Sequence, residues 1–218
     1  MNLTLMGLNK IKEDYLAGQA ASARRIIVCA GTGCIVNGSM KVYEEFVKTI
    51  KESGLKAVVE LKKEEENGTF VSKSGCQGFC QIGPLVTVLP EGILYTRVKP
   101  KDVKDIVDTT LVKGELLHRL LYVEPDTQRA CRDATEIPFY QKQHRFVLAN
   151  CGVIDPESIE EYVANGGYVS ASKACLDMTP AEVCKLVTDA GVRGRGGGGF
   201  PTGKKWELAL SQESDKKY

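Results

Sequence analysis

Arg24-Arg25-Ile26-Ile27-Val28-Cys29-Ala30-Gly31-Thr32-Gly33-Cys34 is the stretch that decides the fold. Its first six residues form a β-branched run, which predicts a strand. Its last five are small or polar and predict a loop. One cysteine closes the strand and a second stands in the loop, with four residues between them. Downstream, Gly75-Cys76-Gln77-Gly78-Phe79-Cys80 repeats the theme, with three residues between its cysteines.

Reading outward, Leu5, Leu8, Ile11 and Leu16 recur at three-to-four-residue intervals, so residues 2–19 predict a short amphipathic helix. After Cys34, Ser39 is expected to cap a helix carrying Val42, Tyr43, Phe46, Val47 and Ile50 on one side, which Gly54 ends. Residues 55–61 read as a second strand, and the charged run 62–67 as a solvated connector. Residues 85–89 and 93–98 flank Pro90-Glu91-Gly92 and predict a hairpin. Pro100 opens a last helix over 101–112, with Val103, Ile106 and Val107 inward. This β-α-β, hairpin, helix order is an α/β, thioredoxin-like plan. In such a plan the loops at the carboxyl ends of the parallel strands gather at one end of the sheet.

The second half is helical. Residues 116–145, with Pro125 and Pro138, read as an extended linker packing on a neighbouring surface. Asp155-Pro156-Glu157 opens a helix through Val163, and Gly166-Gly167 stops it. Residues 168–176 predict another. Thr179-Pro180-Ala181-Glu182 is a helix start, with Thr as cap and Pro in the first turn, and Gly191 closes that helix. Thr202 or Gly203 opens a final helix. The expected organisation is an N-terminal helix over 1–23, a first domain over 24–115, a linker over 116–145 and an incomplete second domain over 146–218.

Bulk properties exclude several classes. The 218 residues are 43% apolar and 26% charged, a globular composition. Lys and Arg number 29 against 28 Asp and Glu, a net charge of +1, so there is no basic excess for nucleic acid. No apolar run approaches the ~20 residues of a membrane span, and no signal-peptide core precedes the first strand. The expected location is cytoplasmic. There, eight cysteines argue for thiols or metal ligands over disulfides.

Two loops carrying a cysteine pair each can supply four thiolates to a two-iron cluster. Glycines at 31, 33, 75 and 78 let the backbone wrap closely and aim N–H groups at sulfur. Structural zinc tolerates both spacings, although the usual Cys-x-x-Cys is absent, as is the thioredoxin redox motif. Cys131, Cys151, Cys175 and Cys184 have no tight spacing and read as packing residues, with Cys131 open to recruitment by a partner.

The two cysteine segments resemble the thioredoxin-like [2Fe–2S] ferredoxin module. That module occurs beside the flavoprotein subunit of respiratory complex I and fused to the flavin subunits of soluble NAD-linked hydrogenases. The resemblance covers residues 24–115 and implies Cys29, Cys34, Cys76 and Cys80 as ligands.

Gly194-Arg195-Gly196-Gly197-Gly198-Gly199-Phe200-Pro201-Thr202-Gly203-Lys204-Lys205-Trp206 is the second signal. It contains a Gly-x-Gly-x-x-Gly pattern, but a helix and not a strand precedes it, so the dinucleotide fingerprint fails. It nearly matches a P-loop, but Lys205 stands where Ser or Thr must hold magnesium. What remains is close backbone approach, a helix N-terminus and the positive charges of Arg193, Arg195, Lys204 and Lys205, which suit a phosphorylated cofactor. Residues 191–206 resemble the FMN-binding loop of the NADH-oxidising subunit of complex I and of related hydrogenase and formate dehydrogenase subunits. Ile137-Pro138, Asn150-Cys151-Gly152, Asp155-Pro156, Gly166-Gly167-Tyr168 and Met178-Thr179-Pro180 are similar to that family's entry segment. By this resemblance Gly194, Arg195, Gly196 and Gly197 lie along FMN, Lys205 reaches its phosphate side, and Phe200 stacks on NADH. Gly198 and Lys204 depart from the family's Ala and apolar residue.

In that family an NADH-binding segment, the rest of the flavin sheet and a [4Fe–4S] cysteine motif follow the loop. The expectation is that this chain is a fragment that holds its [2Fe–2S] cluster and binds FMN weakly by itself. Three readings follow. The first is an NAD(P)H-dependent oxidoreductase subunit passing electrons through FMN to iron–sulfur clusters and to partner subunits of a hydrogenase, bifurcating or NADH dehydrogenase complex. The second is a non-catalytic electron-transfer or docking module. The third is a zinc-stapled scaffold.

Overall fold

A computed structural model describes residues 4–55, 57–58 and 68–214. The chain divides into two compact units, one of residues 11–165 and one of residues 166–214 with residues 4–10 among those described.

The first unit is built on a five-stranded mixed sheet in the order β2-β3-β1-β4-β5. These are β1 (Arg24–Cys29), β2 (Ala57–Val58), β3 (Thr69–Ser74), β4 (Val86–Leu89) and β5 (Ile93–Tyr95). β1 and β2 each run parallel to β3, and β4 and β5 are antiparallel. Helix α1 (Leu5–Ala21) precedes the sheet, and α2 (Thr32–Val36) and α3 (Ser39–Glu52) follow β1. Side chains alternate across β1. Ile26 and Val28 face Val42, Phe46 and Ile50 of α3 in one continuous core with Val71, Val86, Val88 and Tyr95. Helix α4 (Val103–Ile106), which continues as a wider-wound turn over Val107–Val112, closes the same core with Val103, Ile106 and Val107. Its last carbonyls are not left open, because Arg24 donates to those of Thr110 and Leu111 at 2.9 and 2.6 Å.

The α/β thioredoxin-like plan is thus realised, with four differences in detail. The parallel neighbour of β1 is β3, a strand the sequence reading did not identify. Its burial is nearly continuous, so it lacks the alternation that marks a half-exposed strand. Of the strand expected over 55–61, Ala57 and Val58 are observed; the rest, with the 62–67 connector, lies outside the described residues. Cys34 sits in a helical turn and not in a loop. Ser39 does not cap α3: Gly38, left-handed at φ 89°, precedes the helix, and Ser39 is buried as its first residue.

The 116–145 stretch packs as part of this unit and is not an extended linker. It forms a hairpin, β6 (Tyr122–Val123) with β7 (Ala130–Cys131), and a short helix α5 (Pro138–Gln141). Isolated bridges tie it to the main sheet at Ile93–Asp133 and Tyr95–Leu121. Leu120, Leu121, Cys131 and Ile137 are buried, so its apolar residues complete a core instead of lying on a surface. Helix α6 (Ile159–Ala164) begins at a Ser158 cap, later than Asp155-Pro156 suggests. It delivers Glu161 to the sheet face opposite α3. There the carboxylate receives both Arg25 guanidinium nitrogens, at 2.7 and 3.1 Å, and the Asp155 N–H at 2.9 Å. Both side chains are buried.

The second unit holds α7 (Val169–Leu176), α8 (Pro180–Asp189) and α9 (Thr202–Leu210). α8 starts as its sequence dictates: Thr179 and Glu182 form a reciprocal capping box with Pro180 in the first turn. α8 and α9 approach closely at Gly203, where a Cβ would lie 2.6 Å from the Thr188 nitrogen.

A candidate cysteine cluster site and a glycine loop

Strand register brings the two cysteine pairs together. Cys29, the last residue of β1, pairs with Ser74, the last of parallel β3, so the chain leaving β3 carries Cys76 past the end of β1. The Ala30 N–H bonds the Ser74 carbonyl at 2.9 Å and the Cys29 N–H bonds the Leu85 carbonyl at 3.0 Å, fixing both exits. α2 then returns Cys34 to the same end. Cys29 and Cys34 are buried, and Cys76 and Cys80 are exposed. Cys76 and Cys80 place their sulfurs 4.0 Å apart.

Backbone donors face the sulfurs. The Gln77 N–H lies 3.5 Å from the Cys29 sulfur, and the Gly78 N–H 3.3 Å from that of Cys76. Cys29 and Cys34 are hydrogen-bonded: the bond from Cys34 pulls the Cys29 thiol down to about 6, and the same bond pushes the Cys34 thiol up. The Cys80 thiol is raised, first by its bond with Cys76. A metal ligand must be a thiolate, so metal binding at these cysteines displaces protons.

The space around the sulfurs is cut to glycine. A Cβ at Gly31 would stand 2.8 Å from the Cys76 Cβ, one at Gly33 3.2 Å from the Cys80 sulfur, and one at Gly83 2.6 Å from the Cys34 sulfur. Gly75 has ordinary room. Among the described residues, no group of three or more His, Cys, Asp or Glu side chains is gathered tightly enough to hold a metal ion. The sulfurs associate instead in pairs. All four donors are thiolate-forming, they converge on one end of the sheet, and N–H groups point at two of them. A cluster with two thiolates on each iron fits that donor set.

Aromatic rings gather on the residue between the second pair. Phe79, between Cys76 and Cys80, stacks on Phe139 at 4.2 Å between centroids and meets Tyr122 and Tyr140 at 5.8 and 5.9 Å. Burial raises the Tyr140 phenol to about 12.

The glycine loop belongs to the second unit. Its ends are clasped: the Gly194 N–H bonds the Phe200 carbonyl and the Thr202 N–H the Val192 carbonyl, both at 2.9 Å. Arg193 spans the loop to the Gly199 carbonyl at 3.1 Å. Gly197 and Gly199 take φ of 111° and 57°, which side chains rarely adopt. Arg195, Phe200 and Lys205 are exposed. The helix α8 precedes the loop and α9 follows it, so the dinucleotide-fold context is absent as the sequence implies.

Comparison with known proteins fixes the family of the first unit. A family model described as thioredoxin-like [2Fe–2S] ferredoxin matches residues 15–111. The ferredoxin, 2Fe-2S, of Aquifex aeolicus (strain VF5) is 33% identical over 88 residues, which cover 40% of this chain and 71% of that protein. The chain belongs to the thioredoxin-like [2Fe–2S] ferredoxin family. This membership supports a [2Fe–2S] cluster as the cofactor of the ferredoxin unit. Two longer proteins are also similar. NADP-reducing hydrogenase subunit HndC of Solidesulfovibrio fructosivorans is 56% identical over 78 residues, 36% of this chain and 16% of that one. An NADH-quinone oxidoreductase subunit of Rhizobium meliloti (strain 1021) is 42% identical over 72 residues, 33% of this chain and 17% of that one. The matched stretch spans less than a fifth of either relative.

The ferredoxin unit holds three site features that the sequence reading did not name. Gly83 is the tightest glycine against a ligand-candidate sulfur, and its place just after the second cysteine pair was the available signal. Tyr140 and Arg145 come from a stretch that looked like linker, and nothing local marks them. Of the four other cysteines, Cys131 and Cys184 are buried as expected for packing residues. Cys151 is half-buried, and Cys175 is exposed, so it is not a packing residue.

Proposed function

We propose that Cys29, Cys34, Cys76 and Cys80 ligate the [2Fe–2S] cluster, and that the chain is the electron-handling front of an NAD(P)H-dependent oxidoreductase subunit whose 194–205 loop holds FMN. The observation that carries the first part is the convergence of two cysteine pairs under backbone N–H donors at one sheet end. The second part is supported by the open, glycine-lined loop at the start of α9. Gly196, Gly197 and Gly198 have nothing within 4 Å of an added Cβ among the described residues, which leaves backbone accessible to a planar or phosphorylated ligand.

In this reading residues 24–115 serve the cluster, and the FMN and NADH domain expected from residue 146 begins with the second unit, since residues 146–165 pack with the first. Gly194, Arg195, Gly196 and Gly197 lie along the flavin. Lys205 meets its phosphate, and Phe200 offers a ring face to the nicotinamide or adenine of NADH. Bound FMN supplies the conversion between a hydride pair and single electrons, and the cluster a one-electron stop. The names of the similar hydrogenase and NADH-quinone oxidoreductase proteins, each called a subunit, support partner subunits of such a complex, and the proposed setting is the cytoplasm. Among the described residues no helix is long and apolar enough to cross a membrane.

Iron, sulfide and visible absorbance of the purified chain test the cluster. Iron and sulfide in equal amounts with an EPR signal on reduction are expected, and each Cys→Ser change should lower them. A colourless, zinc-containing protein would refute the ligand assignment. Fluorescence titration with FMN, and NADH-driven dye reduction, test the flavin half separately.

A further inference from the structure

We propose that Arg145 is a positioning residue for the cluster loop. It lies outside the stretch matched by the ferredoxin family model and fastens the Cys76–Cys80 turn while holding a fixed positive charge one peptide group away from the Cys76 sulfur. The inference rests on the assignment of Cys76 and Cys80 as ligands.

One peptide group, between Gln77 and Gly78, links Arg145 to the Cys76 sulfur. Its carbonyl accepts from Nη2 of Arg145, and its N–H donates to the Cys76 sulfur at 3.3 Å. A guanidinium on the oxygen end polarises the peptide and strengthens the donor at the other end, as linked hydrogen bonds do. It also stops the peptide plane from rotating the N–H off the sulfur. Arg145 is itself held at three other points: Nη1 donates to the Cys151 carbonyl at 3.3 Å, Nε to the Gln143 side chain at 3.4 Å, and Cζ lies 5.4 Å from the Tyr140 ring centre. The planar fork suits this two-carbonyl grip in a way a lysine cannot reproduce. Gly78 is matched to it. At φ 90° it bends the turn under the guanidinium, and a Cβ there would lie 3.3 Å from Cζ. The turn is thus held by a cation on one side and by the Phe79–Phe139 stack on the other.

Two consequences separate a positioning role from a merely structural one. A nearby positive charge favours the more negative, reduced cluster, so its loss lowers the reduction potential. The clamp protects the Gly78 amide, so its loss speeds hydrogen exchange there. The test uses the full chain with Arg145→Gln and Arg145→Lys. Cluster potential is read by spectroelectrochemistry, and Gly78 exchange in the metal-free protein. Arg145→Gln is expected to lower the potential and to raise Gly78 exchange by about tenfold or more, the loss of one charge-assisted hydrogen bond. Arg145→Lys is expected to keep the potential near that of the parent while exchange still rises. An unchanged potential in Arg145→Gln, or unchanged exchange in both variants, overturns the proposal. If the parent binds no iron, the ligand assignment fails by itself, and unchanged exchange in the metal-free variants would then also reject the clamp.

Discussion

A Cβ added at Gly31 would stand 2.8 Å from the Cys76 Cβ, and one at Gly83 2.6 Å from the Cys34 sulfur. One added at Gly196, Gly197 or Gly198 would meet nothing within 4 Å among the described residues. Both regions are glycine-rich, yet glycine serves opposite ends. Around the cysteines it makes room for the chain's own sulfurs; at residues 196–198 it leaves backbone open. Charge follows the same division. The first unit buries the Arg25–Glu161 pair with both carboxylate oxygens engaged, whereas the second carries exposed pairs such as Lys185–Asp189 at 2.6 Å, worth little in water. Composition alone does not distinguish a glycine that is packed from one that is offered.

The contrast can be broken most forcefully at Glu161. Glu161→Ala strands a buried guanidinium and should cost about 3–5 kcal/mol, read as a lowered denaturation midpoint. A change below about 1 kcal/mol, the range of a solvated surface pair, would mean that the two units are not different in kind. Next comes a paired glycine test. Gly31→Ala forces the Cys76 backbone to move and should destabilise by about 1–3 kcal/mol, with loss of visible absorbance. Gly196→Ala should stay within about 0.5 kcal/mol while weakening FMN in titration. Equal stability effects would erase the distinction.

The smallest effect is expected at the α8 cap. The Thr179 N–H and hydroxyl, at 2.7 and 2.8 Å, hold the Glu182 carboxyl below its ordinary 4.5. A folded-state value that is depressed contributes stability present above 4.5 and lost as pH falls through the lower folded value. Thr179→Ala should cost about 1 kcal/mol at neutral pH. The difference between it and the parent should shrink on acidification, followed by thermal melts from neutral pH downward.

These comparisons also mark what local sequence carries. The capping box at Thr179, the helix stop at Gly191, the hairpin around Pro90-Glu91-Gly92 and the inward face of α3 are all decided within a few residues, and each is observed as read. β3 escapes a sequence reading because burial on both faces removes the alternation that reveals a strand. Ser39 is not the cap its sequence suggests because a left-handed Gly38 enters α3, which leaves the hydroxyl buried instead of capping. The 116–145 stretch looks like linker because its apolar residues are few and irregular. They fill the edge of a core whose other members lie far away in the chain.

Sequence by itself determined the chemistry available: two cysteine pairs at fixed spacings, glycines beside them, and a glycine loop between two helices. Those are properties of short segments, set by side-chain type and by backbone freedom. Only the tertiary structure decided that Cys29 and Cys76 leave neighbouring parallel strands at the same level. It also decided that Glu161 answers Arg25 across 136 positions and that Arg145 reaches back 68 positions to the Gln77 carbonyl. Such pairings exist only once a parallel register has been chosen and buried polar groups have had to find partners. No local pattern encodes the partner of a buried charge.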